Sequence, residues 1–418
     1  MNRVIVSGGV RLSGEVPIGG SKNAALPVLF GGILTGERCV FSNLPRVSDV
    51  LRALEILRAL GARIHFAENH DVTIDYAAVQ PLLPPPALTS AIRGSTYLLG
   101  ALLGRFGKAR LGGMGGCDFG ARPIDQHLMG FSRLGAVVRE GEEVYLLAKG
   151  GLAGCEIPLA MPSVGATANL MLAAATASGK TVIRNAAAEP HVAALGDFLV
   201  AAGAKIEGVG TDTVRVIGVP RLHGVAYRII PDMIEAGTYL CAGMACKGPV
   251  CVRGVEPMHL GALLAAFRVM GARVEIGERE VTVSAPDLYR NVAVETGPYP
   301  AFPTDLQPQI TALFSLGGRA EGEGVVRERI WASRFRYVEG LRALGADISL
   351  SGDTAVVRPA PLHGGSVYSP DLRGGAALLL AALAVRGEVD IGNAATIARG
   401  YEHLAEKLGA LGAKVKIY

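Results

Sequence analysis

The feature that most constrains this chain is a repeat. An apolar, helix-patterned segment ending in Gly-Ala recurs at Gly61, Gly135, Gly203, Gly271, Gly345 and Gly412, at intervals of 67 to 74 residues. Each glycine stands where a helix takes a left-handed C-terminal cap. A strand-like alternation follows each one: Arg63-Ile-His-Phe, Val137-Val-Arg-Glu, Lys205-Ile-Glu, Arg273-Val-Glu-Ile, Asp347-Ile-Ser-Leu and Lys414-Val-Lys-Ile. A polar turn and a second strand come next, as in Val281-Thr-Val-Ser. The last copy has only one strand, so Arg3-Val-Ile-Val is expected to supply the other.

Upstream of each Gly-Ala helix lies a second, more apolar helical run. Its openings are Ser21-Lys22-Asn23, Arg93-Gly94-Ser95, Ser163 to Thr167, Asp232 to Glu235, Thr304-Asp305 and Asp371 to Gly374. Ser, Thr and Asp at such places act as N-caps. Helix N-termini that recur in this way also offer dipole ends for anions, beside Lys22, Arg93 and Arg373. Six copies in 418 residues exceed one ordinary core and divide into two sets of three. The expected domains are 21–229 and 1–20 plus 230–418, with ligands in a cleft between them.

One loop stands out within this frame. Leu111 to His127 places four glycines before Cys117 and Arg122 shortly after it. The glycines permit close backbone bending, and a thiol near a guanidinium suits chemistry. The competing reading is an ordinary turn around a small buried thiol.

Composition narrows the classes. Net charge is +4, with Lys and Arg dispersed, which argues against nucleic acid as partner. The six cysteines form no C-x-x-C pair and the histidines show no ligand spacing, so no metal is expected. The longest apolar run, Ala376 to Val385, is too short to span a bilayer, and the amino-terminal stretch lacks a signal-peptide pattern. A cytoplasmic protein with no membrane association is expected. Ser178-Gly-Lys-Thr181 lacks the first glycine of a P-loop and runs from helix into strand, so it is set aside.

Five segments together resemble the enolpyruvyl transferases. They are Gly20-Ser-Lys-Asn-Ala-Ala-Leu-Pro, Gly115 to His127, Pro162-Ser-Val-Gly-Ala-Thr, Ala301-Phe-Pro-Thr-Asp-Leu-Gln307 and Arg399-Gly-Tyr-Glu. The resemblance implies an α/β fold: a two-domain inside-out α/β barrel of six βαβαββ-type repeats, three per domain. It implies transfer of the enolpyruvyl group of phosphoenolpyruvate to the 3′-hydroxyl of UDP-N-acetylglucosamine, with release of phosphate through a tetrahedral ketal. That reaction opens peptidoglycan precursor synthesis and is the target of fosfomycin.

The resemblance also implies roles. Cys117 is the general acid, Asp305 the base for the sugar hydroxyl, and Lys22, Arg122 and Arg399 hold phosphoenolpyruvate. The UDP-sugar is met by Arg93, by Pro123, Ile124, Asp125, Gln126 and His127, by Ser163, Val164 and Gly165, and by Ile330. Asn23, Arg334, Asp371 and Arg373 line the same site. No cofactor is implied. Met114, Met161 and Ala398 depart from the family pattern, Met161 where some members place a lysine. The alternatives are transfer to shikimate-3-phosphate by the same fold, and a binding protein without turnover.

Overall fold

The computed structural model describes residues 2–68, 70–113, 115, 123–317 and 319–418. These divide into two compact units, one running through 20–230 and the other joining 2–19 to 231–418. Each unit is α/β. The third copy shows the βαβαββ order directly: strand Glu156–Pro158, helix Val164–Ala174, strand Lys180–Arg184, helix Pro190–Ala201, strands Lys205–Glu207 and Thr213–Ile217. Lys180–Arg184 pairs parallel with Glu156–Pro158 and antiparallel with Thr213–Ile217, whose other edge takes Lys205–Glu207.

Five sheets share this order, and two of their strands are exchanged along the chain. Gly14–Pro17 precedes the first copy yet pairs with Val250–Arg253 of the fourth. Ala226–Arg228 precedes the fourth yet pairs with Arg38–Ser42 of the first. Arg3–Gly8 fills the place left open in the last copy, between Gly387–Gly392 and Lys414–Ile417. The second copy's sheet has three described strands, Lys108–Gly112, Glu143–Leu147 and Val137–Glu140. The segment where its fourth would fall carries Pro84, Pro85 and Pro86, which lack the N–H donors a ladder needs. The sheets stay separate, and none closes into a barrel among the described residues.

The repeat glycines set the helix ends. All six are left-handed, with φ between 94° and 107°. In every copy the alanine amide bonds back to the carbonyl five residues earlier, from Ala62 to Leu57 through Ala413 to Leu408. The glycine amide reaches the carbonyl three residues before it, the second bond of a Schellman cap. The other helix of each copy is buried nearly all round; every residue of Leu372–Ala384 is buried. Small residues make this packing possible. A Cβ on Gly100 would sit 2.3 Å from the backbone oxygen of Asn169 on Val164–Ala174. Met233–Ala245, Gln307–Phe314 and Leu372–Ala384 pack pairwise in the same manner.

The expected caps are partly realised. Ser163 accepts from the Ala166 amide, Asp232 from Ile234 and Glu235, and Asp371 from Arg373 and Gly374. Ser21 makes no side-chain cap bond. Arg93 and Asp305 do not open α-helices. They lie in 3-10 turns, Arg93–Thr96 and Thr304–Leu306, ahead of Tyr97–Phe106 and Gln307–Phe314. Asp305 is no cap because its carboxylate is engaged by arginines.

Candidate active site

In the unit containing 231–418, the expected residues collect at the amino ends of the buried helices. Asp305 Oδ1 accepts from Arg334 Nη2 at 2.9 Å. Its Oδ2 accepts from Arg373 Nη2 at 3.0 Å and Nε at 3.2 Å. The two arginine side chains are only 1% and 3% exposed, while that of Asp305 is 28% exposed. An accessible carboxylate therefore sits on two deeply buried cations. Burial disfavours the charged form of Arg373, but the charge of Asp305 together with Tyr401 and Asp232 outweighs it, and the pKa of Arg373 rises.

A buried hydroxyl network supports Arg373. The Tyr401 hydroxyl is 2.8 Å from Thr238 Oγ1 and takes hydrogen bonds from Gln309 Nε2 at 3.3 Å and Arg373 Nη1 at 3.4 Å. The guanidinium also lies 5.7 Å from the Tyr401 ring centroid, within cation–π range. Burial raises the pKa of the Tyr401 phenol. Arg399 ends the turn Ala394–Arg399, and the next residue, Gly400, runs beside Arg373; a Cβ there would be 3.5 Å from Arg373 Nη1. Asp371 spends Oδ1 on the helix amides of Arg373 and Gly374. Ile330 is half-buried, and its amide donates to Glu328 Oε1 at 2.9 Å.

In the unit spanning 20–230, Lys22 and Asn23 open the helix Lys22–Gly31 and are half-buried. Lys22 Nζ lies 3.3 Å from Asp49 Oδ2, with Asp49 almost fully enclosed. The Arg93 turn packs on this helix, where a Cβ on Gly94 would meet Leu26 at 2.8 Å. His127 is buried, and Asn169 Nδ2 lies 2.9 Å from its Nδ1. Burial first, and then the charge of Arg93, lowers the His127 pKa from 6.5 to about 3, so the ring is neutral. A Cβ on Gly165 would sit 2.9 Å from His127 Cε1, so the imidazole rests on the start of Val164–Ala174.

Other expected residues are placed individually. Gln126 Oε1 accepts the amide of Ala160 at 2.8 Å, a tie within the fold. Ser163 is a cap and Val164 begins the helix. Ile124 is buried, whereas Pro123 and Asp125 are exposed. Met161 is 52% exposed. Cys117, Arg122 and Met114 lie outside the described residues. Sequence reasoning missed Asp49, Asn169 and Glu328. Each is a polar residue buried among described neighbours, and no local pattern announced that burial. Among the described residues, no His, Cys, Asp or Glu group could hold a metal ion, and no helix is long and apolar enough to cross a membrane.

Known proteins share this chain over its whole length. The sequence profile of EPSP synthase (3-phosphoshikimate 1-carboxyvinyltransferase) matches residues 6–408. UDP-N-acetylglucosamine 1-carboxyvinyltransferase of Halothermothrix orenii is 42% identical over 416 residues, covering 100% of this chain and 99% of its own. UDP-N-acetylglucosamine 1-carboxyvinyltransferase 1 of Carboxydothermus hydrogenoformans is 42% identical over 417 residues, covering 100% of this chain and 98% of its own. The crystal structure of the enolpyruvyl transferase NikO from Streptomyces tendae superposes with a TM-score of 0.89 at 31% identity, covering 99% of this chain and 98% of that one. EPSP synthase from Acinetobacter baumannii, at 18% identity and a TM-score of 0.75 over 100% of both chains, shares the fold. This chain belongs to the enolpyruvyl transferase family that includes EPSP synthase.

Proposed function

We propose that the chain transfers the enolpyruvyl group of phosphoenolpyruvate to the 3′-hydroxyl of UDP-N-acetylglucosamine, releasing phosphate, at the entry to peptidoglycan precursor synthesis. The observation that carries this reading is the full-length 42% identity to transferases of that name. The geometry supports it. The reaction needs a base for a hydroxyl proton, an acid for C3 of phosphoenolpyruvate, and fixed cations for a carboxylate and a phosphate.

Asp305 serves as the base, taking the 3′-hydroxyl proton as the oxygen bonds to C2 of phosphoenolpyruvate. Cys117 serves as the acid, delivering a proton to C3, so that a tetrahedral phospho-ketal forms. Loss of a C3 proton and departure of phosphate from C2 then give the enol ether. Lys22, Arg122 and Arg399 hold phosphoenolpyruvate, and Arg334 and Arg373 add buried positive charge beside Asp305. Arg93, Pro123, Ile124, Asp125, Gln126, His127, Ser163, Val164, Gly165 and Ile330 serve the UDP-sugar, with Asn23 and Asp371 in supporting positions. The cytoplasm suits this reading, since the five described cysteines are free thiols.

Phosphate release tests the proposal. Release with phosphoenolpyruvate plus UDP-N-acetylglucosamine is expected. Release only with shikimate-3-phosphate as acceptor would move the chain to the other branch of the family. Binding of the UDP-sugar without release from either pair would leave a binding protein.

A further inference from the structure

The repeat provides an internal standard for one position. The residue after the central strand of each copy is Asn43, Gly113, Asn185, Gly254, Glu328 and Asn393 in turn. Five are left-handed, with φ of 54°, 60°, 57°, 73° and 54°, and Glu328 is not among them. Asn and Gly are the residues that accept this conformation cheaply. The three asparagines also brace the sheet. Their amides donate to the carbonyls of Ile229, Leu159 and Ser369, each just past the adjoining parallel strand, at 2.9, 3.1 and 2.8 Å.

Glu328 departs from both rules. It is 3% exposed, and its carboxylate turns toward neighbouring loops instead of the sheet. Oε1 accepts the amides of Ile330 at 2.9 Å and Trp331 at 3.1 Å, and Oε2 accepts the Thr304 hydroxyl at 2.9 Å. One carboxylate thereby joins the loop bearing Ile330 and Arg334 to the turn bearing Asp305. Burying a carboxylate is costly unless it is hydrogen-bonded. All three of these bonds are made to the two segments that hold Asp305 and Arg334, one of its two arginines. The fold asks for Asn or Gly here, so the exchange serves the site.

We propose that Glu328 is a positioning residue that sets the distance between Asp305 and the Ile330–Arg334 loop. This rests on the reading of Asp305 as the base for the acceptor hydroxyl. Misplacement of a reacting group by about 1 Å costs on the order of 100-fold in rate, so a loosened tie is felt in kcat. Trp331, the single tryptophan of the chain, reports the loop without any turnover.

The test compares Glu328→Gln and Thr304→Val with the unaltered protein. Thr304→Val keeps the size of the side chain and removes only the hydroxyl donor. In both variants kcat for phosphate release is expected to fall about tenfold or more, while KM for phosphoenolpyruvate moves less than about threefold. The double variant is expected to be no slower than the slower single one, because both cut one tie. Acrylamide quenching of Trp331 is expected to increase in Glu328→Gln. Folded variants with kcat within about twofold of the unaltered protein overturn the proposal. So does a wild-type quenching rate in Glu328→Gln. If Glu328→Gln does not fold, Thr304→Val decides by the same kcat criterion. If the unaltered protein releases no phosphate, the proposed function fails, and Trp331 quenching still decides whether Glu328 holds the loop.

Discussion

Asn169 Nδ2 lies 2.9 Å from His127 Nδ1, and this contact fixes which imidazole nitrogen carries the proton. Asn169 Oδ1 already accepts the Gly100 amide at 2.8 Å, so Nδ2 is the donor and Nδ1 the acceptor. The proton of the neutral ring is therefore on Nε2. That nitrogen lies beside the first turn of Val164–Ala174, where a Cβ on Gly165 would be 3.0 Å away. The arrangement gives an uncharged N–H donor, held by packing between helices, next to segments assigned to the UDP-sugar.

A pH dependence of stability follows from this contact. An unfolded histidine titrates near ~6.5, and His127 in the fold titrates at about 3 because of burial and then Arg93. Between those values the unfolded chain holds a proton that the native one does not. Stability therefore declines as pH falls from 6.5 toward 3, by up to about 1.4 kcal/mol per pH unit from this group. His127→Gln removes the titration. Calorimetry across pH 6.5 to ~4 is expected to show a shallower fall of Tm for the variant. Equal slopes would show that His127 is not held neutral.

Asp305 carries a structural load and, as the proposed base, a chemical one. Asp305→Asn leaves Arg334 and Arg373 as buried guanidinium groups without their carboxylate. A loss of about 1–3 kcal/mol of stability is expected, together with a fall in turnover of about 10²–10⁴. The two losses separate on adding an anion. Phosphoenolpyruvate is expected to raise the Tm of Asp305→Asn more than that of the unaltered protein, because its charge can occupy the vacated arginines. Turnover stays low, because the base is missing. A variant that keeps its rate would assign the base to another group.

How much of this was legible in the sequence depended on the range of the interaction. The Gly-Ala helix ends could be read because a Schellman cap is closed by bonds within six residues, and the same local chemistry identified Ser163, Asp232 and Asp371 as caps. The placement of Arg3–Gly8 followed from counting strands per copy. The helix-start position of Asp305 suits a cap, while the Phe-Pro-Thr-Asp motif that carries it points to function through the family resemblance. What sets its surroundings is Arg334, at the start of the 3-10 turn Arg334–Tyr337, and Arg373, on the helix Leu372–Ala384. Asp49 reads as an ordinary acidic residue in a helix first turn, favourable there through the helix dipole; only folding brings Lys22 to it. Glu328 became visible only when six equivalent positions could be compared in three dimensions.

The repeat glycines make a prediction with an internal ranking. At Gly135, φ is 96° and an added Cβ would meet nothing within 4 Å. Gly135→Ala thus pays only for the left-handed backbone, about 1–2 kcal/mol. At Gly61, φ is 107° and the Cβ would also sit 2.6 Å from the carbonyl oxygen of Ala78. Gly61→Ala is expected to lose clearly more stability than Gly135→Ala in denaturant titration. An equal loss at the two sites would mean that the backbone at Ala78 yields without cost.

Cys117 lies outside the described residues, so its role is tested by reaction. Fosfomycin is an epoxide bearing a phosphonate, with the charge of a phosphoenolpyruvate mimic. A thiolate attacks a ring carbon, the C–O bond opens, the alkoxide takes a proton, and the whole molecule is added to sulfur. Four of the other five thiols are poor competitors. Burial raises the pKa of Cys39 and Cys241 and pushes that of Cys246 up to about 12. Burial also raises the pKa of Cys155, though Arg133 partly opposes it. Peptide mapping is expected to place the adduct on Cys117, with time-dependent loss of phosphate release. An adduct on Cys155 or Cys251 would remove the selectivity argument. Cys117→Ser separates the two roles of the thiol, because a serine hydroxyl neither opens the epoxide nor gives up a proton readily at neutral pH. Loss of both labelling and turnover supports a proton donor. Loss of labelling with full turnover would make Cys117 only the most reactive thiol, and the acid for C3 would be another group.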